Sequence, residues 1–171
     1  ALYNLGITLL ASNKLDEAEA SLRQAIKLKP DFDKALFNLG NTLFLSGRLD
    51  EAETYFRQTI ELTPNYAEAH SNLGNTLKAL GKLEEAEASY RQAIGDKPEL
   101  ADAHNNLGIT LFEMGKIEQA EASYKKTIAL DSDHAGAHRD LGIVLSALGR
   151  LHEAEASYRQ AIALTPNNAE I

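Results

Sequence analysis

The stretch "HSNLGNTLKALGKL", residues 70–83, reads as a helix with a glycine at its centre. Glycine inside a helix costs about 1 kcal/mol against alanine, so its presence needs a cause. Variants of the stretch occur four more times, as "YNLGITLLASNKL", "FNLGNTLFLSGRL", "NNLGITLFEMGKI" and "RDLGIVLSALGRL". The glycines are Gly6, Gly40, Gly74, Gly108 and Gly142, each 34 residues after the last. Other columns keep step: Leu5, Leu39, Leu73, Leu107 and Leu141 precede the glycine, and Leu9, Leu43, Leu77, Leu111 and Leu145 follow it. Ala18, Ala52, Ala86, Ala120 and Ala154 come twelve residues after it, and Ile26, Ile60, Ile94, Ile128 and Ile162 twenty after it. Self-similarity at this period marks a stack of identical helical or strand units.

Each unit reads as two helices. The first ends at Gly47, Gly81, Gly115 or Gly149, glycine being the usual residue just beyond a helix C-terminus. The second, as in "LEEAEASYRQAI" (83–94), is rich in helix formers and opens with acidic residues such as Asp50 and Glu51. Glu19–Arg23, Glu53–Arg57, Glu87–Arg91, Glu121–Lys125 and Glu155–Arg159 are spaced to pair on an exposed face, each contributing a few tenths of a kcal/mol. Pro30, Pro64, Pro98 and Pro166 stop the second helix. The recurring glycine is expected to let a partner helix approach, with the alanine twelve residues on as the facing surface. In the third unit Gly95-Asp96 stands where other copies keep a helix former and a leucine, so a local break is expected there. About ten apolar side chains per hairpin, at roughly 1.5–3 kcal/mol each, do not outweigh about 1–2 kcal/mol of backbone entropy per residue. A single hairpin is therefore unstable, and stacking must supply the rest.

The expected fold is all-α: a single array over 1–171, with units at about 1–32, 33–66, 67–100, 101–134 and 135–168, and 169–171 beginning another. The chain opens at Ala1 inside the pattern and reads as a piece of something longer. Net charge −8 argues against nucleic acid or an anionic membrane as main partner. Without cysteine there is no disulfide, thiolate metal site or cysteine nucleophile. No apolar run approaches the roughly 20 residues of a membrane-spanning helix, so no membrane insertion is expected. The compartment is not legible, and cytoplasmic is the default expectation.

On the first helix one arc is mostly Ala, Leu, Gly and Thr, the packed side, while the opposite arc varies between copies. One position on the variable arc stays nearly constant: Asn4, Asn38, Asn72, Asn106 and Asp140, two residues before the glycine. Asparagine is a mediocre helix former, but its amide offers both donor and acceptor to a peptide group. The ladder either grips a partner's backbone or bonds a neighbouring repeat. Around it the arc presents Tyr3, Ile7, Leu10, Phe37, Asn41, Phe44 and Leu45, then Glu68, Ser71, Asn75 and Lys78. Asp102, Asn105, Ile109, Phe112 and Glu113 follow, then Arg139, Ile143 and Ser146. The apolar stretch of the first two units is expected to receive apolar side chains of an extended segment or helix.

Leu-Gly-x-x-Leu followed by Ala, an aromatic (Phe56, Tyr90, Tyr124, Tyr158), a second small residue and Pro, repeated every 34 residues, resembles the tetratricopeptide repeat over the whole chain. Leu22, Thr59, Thr127 and Ser132 are local departures from the pattern. The resemblance implies a right-handed superhelical solenoid whose concave groove, lined by the first helices, binds peptides. It implies a non-catalytic protein- or peptide-binding scaffold. The Asn ladder in "AHSNLGNTLKALGKLEEAEASYRQAI" (69–94) is also similar to the repeats of O-linked N-acetylglucosamine transferases, which leaves open a substrate-recruiting arm of a larger enzyme. Uncapped apolar ends leave open end-to-end self-association. The Lys/Arg clamp of chaperone-tail adaptors is not in register, since Lys34 alone is basic in its column. No phosphate loop, dinucleotide fingerprint or zinc-protease motif occurs, so neither cofactor nor metal is expected. His70, His104 and His138 lie one repeat apart on the packed side, as spacers between repeats.

Overall fold

The computed structural model describes residues 1–165. Among them the chain forms ten α-helices and no strand. They fall into two compact units, Ala1–Asp96 and Lys97–Ile171. The first unit holds α1 (Leu2–Ala11), α2 (Leu15–Leu28), α3 (Asp33–Leu45), α4 (Leu49–Leu62), α5 (Ala67–Ala79) and α6 (Leu83–Asp96). The second holds α7 (Ala101–Glu113), α8 (Ile117–Leu130), α9 (Ala135–Ala147) and α10 (Leu151–Leu164). Odd-numbered helices are the first helices of the sequence repeats, even-numbered ones the second. The stop expected at Pro166 and the further repeat expected at 169–171 lie outside the described residues.

Each helix packs on its sequence neighbour within its unit. The backbones of successive first helices also approach, α1 to α3, α3 to α5 and α7 to α9, whereas successive second helices stand further apart and meet through long side chains, Arg23 with Tyr55 and Arg57 with Glu85. Within each unit the first helices therefore sit on the inside of a bend.

The turns between paired helices are fixed by backbone chirality. Gly47, Gly81, Gly115 and Gly149 have φ of 74°, 76°, 74° and 73°. Asn13 takes the same place in the first repeat at φ 57°, asparagine being one of the few side chains tolerated there. In the second repeat Gly47 N donates to Phe44 O (3.0 Å) and Arg48 N to Leu43 O (2.9 Å), closing off the orphan carbonyls of the helix end.

The recurring helical glycine packs on a ring, not on alanine as expected. A Cβ on Gly40 would lie 2.8 Å from Phe56 Cε1, on Gly74 2.7 Å from Tyr90 Cε1, and on Gly108 2.8 Å from Tyr124 Cε1. Gly142 meets Tyr158 and Gly6 meets Leu22 in the same way. The ring sixteen residues on lies flat against bare backbone, and Phe56, Tyr90 and Tyr124 are buried by it. The alanines twelve residues on are buried too, and Ala18 O lies 3.6 Å from a Cβ placed on Gly6, further than the Leu22 side chain. Two residues after the glycine, Thr42, Thr76 and Thr110 are fully buried and donate to the carbonyls of Asn38, Asn72 and Asn106 at 2.8 Å. Val144 fills that column in the fifth repeat with the same shape and no hydroxyl.

The break expected at Gly95-Asp96 does not occur. α6 runs 14 residues through Gly95 to Asp96, as long as α2, α4, α8 and α10. Nothing lies within 4 Å of a Cβ placed on Gly95, so its neighbours do not oppose the helix and only propensity does. The boundary between the two compact units nonetheless falls directly after Asp96.

On the outer face all the expected Glu/Lys-Arg pairs form, from 2.6 Å for Glu121–Lys125 to 2.9 Å for Glu19–Arg23. Glutamates of this set also bind a cation from the turn of the next repeat: Glu19 binds Arg48 (2.8 Å), Glu53 binds Lys82 (2.8 Å) and Glu121 binds Arg150 (2.7 Å). Lys82 is the main influence holding the Glu53 carboxyl below its ordinary range, and Lys125 does the same for Glu121. At Glu19 burial pushes upward, but the bonds from Arg23 and Arg48 outweigh it.

His70, His104 and His138 are half-buried, and each Nε2 lies within 3.0 Å of a carbonyl six residues back, of Pro64, Pro98 and Ser132. A carbonyl only accepts, so Nε2 carries the hydrogen. These histidines tie each first helix to the preceding loop, the spacer role expected of them. Burial is the main influence holding His104 below the ordinary imidazole value. Among the described residues no three His, Asp or Glu side chains are grouped to hold a metal ion. No helix among them is long and apolar enough to cross a membrane.

Candidate functional site

The inner face of each unit carries a hollow. In the first unit Leu10, Asn41, Phe44, Leu45, Asn72 and Asn75 from α1, α3 and α5 surround a space of about 300 Å³, with the Phe56 ring behind them. Leu45 is 60% exposed and Phe44 half-buried. Asn72 Nδ2 donates to Asn41 Oδ1 at 2.8 Å, bridging α5 to α3. The buried Tyr90 hydroxyl donates to Asn75 Oδ1 at 2.7 Å. Asn41 occupies the same repeat position as Asn75, but Phe56 stands where Tyr90 does and has no hydroxyl. The Asn41 oxygen receives the Asn72 amide hydrogen and no phenol hydrogen.

The Asn ladder thus reaches back toward the preceding repeat at two rungs. Asn38 Nδ2 donates to Lys34 O at 2.7 Å and to Tyr3 Oη at 3.3 Å, and Asn72 reaches Asn41. Both residues are half-buried, and neither Oδ1 accepts a hydrogen bond among the described residues. Asn4 is exposed, and Asn106 is half-buried in the second unit. Asn38 and Asn72 therefore serve inter-repeat packing and still keep acceptor capacity on the inner face.

Phe37 packs as a wedge, its ring 4.9 Å from Tyr66 and 5.9 Å from Phe56 between centroids. Tyr3 makes the same contact with Phe32 at 4.8 Å. Both fill space beside the residue that precedes the next helix. Ser71, in the same column, is buried rather than presented. Lys78 is half-buried on α5 and does not line the hollow.

In the second unit Ile109, Phe112, Glu113, Tyr124, Arg139, Asp140 and Ile143 enclose about 380 Å³ between α7 and α9. Arg139 Nε donates to Asp140 Oδ1 at 2.8 Å. Tyr124 is 2% exposed, and burial followed by the nearby Asp140 pushes its phenol far up, so it stays protonated. Position by position this hollow repeats the first, two periods on: Ile109 for Asn41, Phe112 for Phe44, Glu113 for Leu45, Tyr124 for Phe56, Asp140 for Asn72 and Ile143 for Asn75. The first-helix residues of both hollows lie on the arc that the sequence leaves variable, but Phe56 and Tyr124 enter the sequence pattern only as its recurring aromatic. A ring on the second helix becomes visible from the inner face because glycine leaves a gap above it.

Models of the tetratricopeptide repeat match residues 3–67, 55–88, 74–115 and 99–167. No curated protein matches the chain. Among solved structures, MamA is similar with a TM-score of 0.88 and 23% identity, over 98% of this chain and 98% of that one. PilF of Pseudomonas aeruginosa is similar with a TM-score of 0.90 and 22% identity, over 98% of this chain and 77% of that one. YrrB, described as a TPR protein with an unusual peptide-binding site, is similar with a TM-score of 0.81 and 20% identity, over 98% and 86%. With its repeat period, its ring-on-glycine hairpins and these matches along its length, the chain belongs to the tetratricopeptide repeat family.

Proposed function

We propose that the chain is a non-catalytic scaffold that binds a protein or peptide segment on the inner face of its first helices. The observation that carries this reading is the hollow of the first unit. Apolar side chains (Leu10, Phe44, Leu45) and amides (Asn41, Asn72, Asn75) meet there around about 300 Å³, enough for one or two side chains. A partner's apolar side chain buries on Phe44 and Leu45, at roughly 25 cal/mol per Å² removed from water. Its flanking peptide groups meet Asn72, which holds a carbonyl oxygen ready to accept, and Asn41. The peptide-binding site named for the similarly folded YrrB supports the general reading.

The test is a screen of blocked peptides against the wild type, Phe44→Ala and Asn72→Ala, with melting followed alongside. Phe44→Ala should cost tenfold or more in affinity for the best peptides with little change in melting. Phe37→Ala should instead lower the melting temperature, because that ring is wedged between Phe56 and Tyr66. Binding untouched by Phe44→Ala and Asn72→Ala would remove the reading.

A second reading, end-to-end self-association, draws on the exposure of Leu5 and Ile162, 50% and 53%, in columns that the inner repeats cover further. Light scattering over a concentration series tests it; a constant monomer mass rejects it.

A further inference from the structure

The hollow of the second unit has chemistry that the first lacks. In the third repeat the buried tyrosine, Tyr90, gives its hydroxyl hydrogen to Asn75. In the fourth repeat Ile109 stands where that asparagine would be, and the hydroxyl of Tyr124 makes no hydrogen bond among the described residues. Tyr124 is 2% exposed yet lines the hollow, so this unpartnered hydroxyl opens into it. No neighbouring side chain competes for this hydroxyl, so its oxygen is available to an occupant of the hollow.

The rest of the wall is selective. Ile109, Phe112 and Ile143 make it apolar, and Glu113 adds a carboxylate with no ion pair among the described residues. Asp140 adds a second carboxylate whose charge is offset by Arg139 at 2.8 Å. The hollow therefore combines an apolar wall, one uncompensated negative charge and an idle hydroxyl oxygen, in a chain of net charge −8. A long side chain with an aliphatic stem and a cationic head fits all three.

We propose that the second hollow receives a lysine or arginine side chain of the bound segment. The stem lies on Ile109, Phe112 and Ile143, and the head donates to the Glu113 carboxylate and the Tyr124 hydroxyl oxygen. The Phe112 ring adds an attractive face for the cation. This rests on the scaffold reading above and specifies its partner: a segment carrying a basic residue.

The experiment uses the full chain and two small probes, Nα-acetyl-lysine methylamide and its norleucine counterpart, which keeps the stem without the charge. Methyl resonances of Ile109 and Ile143 are followed by NMR, and those of Leu10 and Leu45 serve as the first-hollow reference. The lysine probe should shift the Ile109 and Ile143 methyls saturably, at least fivefold more tightly than the norleucine probe, and more weakly as salt is raised. Glu113→Gln should remove most of the preference, and Tyr124→Phe should reduce it about twofold while the chain stays folded. If norleucine binds this hollow as well as lysine does, or if Glu113→Gln leaves the preference intact, the basic-residue proposal falls and the scaffold reading stands. If neither probe shifts these methyls while screened peptides engage the first hollow, it falls in the same way. If neither probe and no screened peptide perturbs either hollow, both fall together.

Discussion

The two hollows share one frame and differ in what fills it. Each is floored by a ring, Phe56 or Tyr124, pressed on a helical glycine, and the two share five first-helix positions, to which the first adds Leu10 and the second Arg139. In the first, three amides and two leucines make a neutral wall; in the second, two isoleucines, a glutamate and an Arg–Asp pair make a charged one. The comparison separates two kinds of column. Residues that hold helix on helix barely change, because a large side chain pressed on bare backbone leaves no room for a Cβ on the glycine. Residues that face outward from the same helices change freely, and the changes are coupled: replacing asparagine by isoleucine at 109 strands the hydroxyl that tyrosine brings at 124.

The frame should fail equally in both places. Gly40→Val and Gly108→Val each put carbon within 2.8 Å of a buried ring, and each should lower stability by about 3 kcal/mol in urea titrations. A markedly milder loss at one site would show that the two frames are not equivalent.

The hydroxyls should distinguish the units. Tyr90→Phe removes the 2.7 Å bond to Asn75 and should cost about 1 kcal/mol. Tyr124→Phe removes a hydroxyl with no partner and should cost close to nothing. Equal losses in denaturation would contradict the difference between the hollows.

Acid should weaken both units through the outer glutamates. Glu53 and Glu121 have folded values below their ordinary 4.5, so their stabilisation is complete above that value and disappears as the pH falls through the lower folded one. Glu53→Gln and Glu121→Gln should each cost under about 1 kcal/mol at neutral pH, as solvent-screened pairs do. That deficit should close on acidification below that ordinary value, as the wild type loses the same contribution. A deficit that stays constant with pH would show that these carboxylates do not carry the coupling.

The smallest effect is expected in the threonine column. Thr42→Val gives up a hydroxyl bond to its own helix and keeps the shape that Val144 already has. Stability should move by no more than about 0.5 kcal/mol, the exchange being a local bond for added apolar burial. A loss above 2 kcal/mol in thermal melts would mean that the hydroxyl holds more than its own helix.

Much of the fold was legible because its causes are local. The turn glycines announce themselves by what they follow, whereas Asn13 shows itself as their substitute only in its backbone angle. The Glu–Arg pairs lie one helical turn apart, so a single helix dictates them. Gly95 misled for the same reason: propensity argues for a break, but flanking packing at Ala93 and Ile94 carries the helix through. Of the candidate site, the inner-face positions Asn41, Phe44, Asn72, Asn75, Phe112, Arg139 and Asp140 do line the hollows, while Phe37 is spent on packing.

By itself the sequence determined the period, the helix pairs, their turns and which stripe of each first helix escapes the core, because each depends on spacing along one chain segment. Only the tertiary structure decided that the glycine meets a ring sixteen residues away, that Asn72 spends an amide hydrogen on Asn41, and that the Tyr124 hydroxyl is left without a partner. Those outcomes depend on how closely two helices approach and at what rotation, and no spacing within either helix encodes that distance.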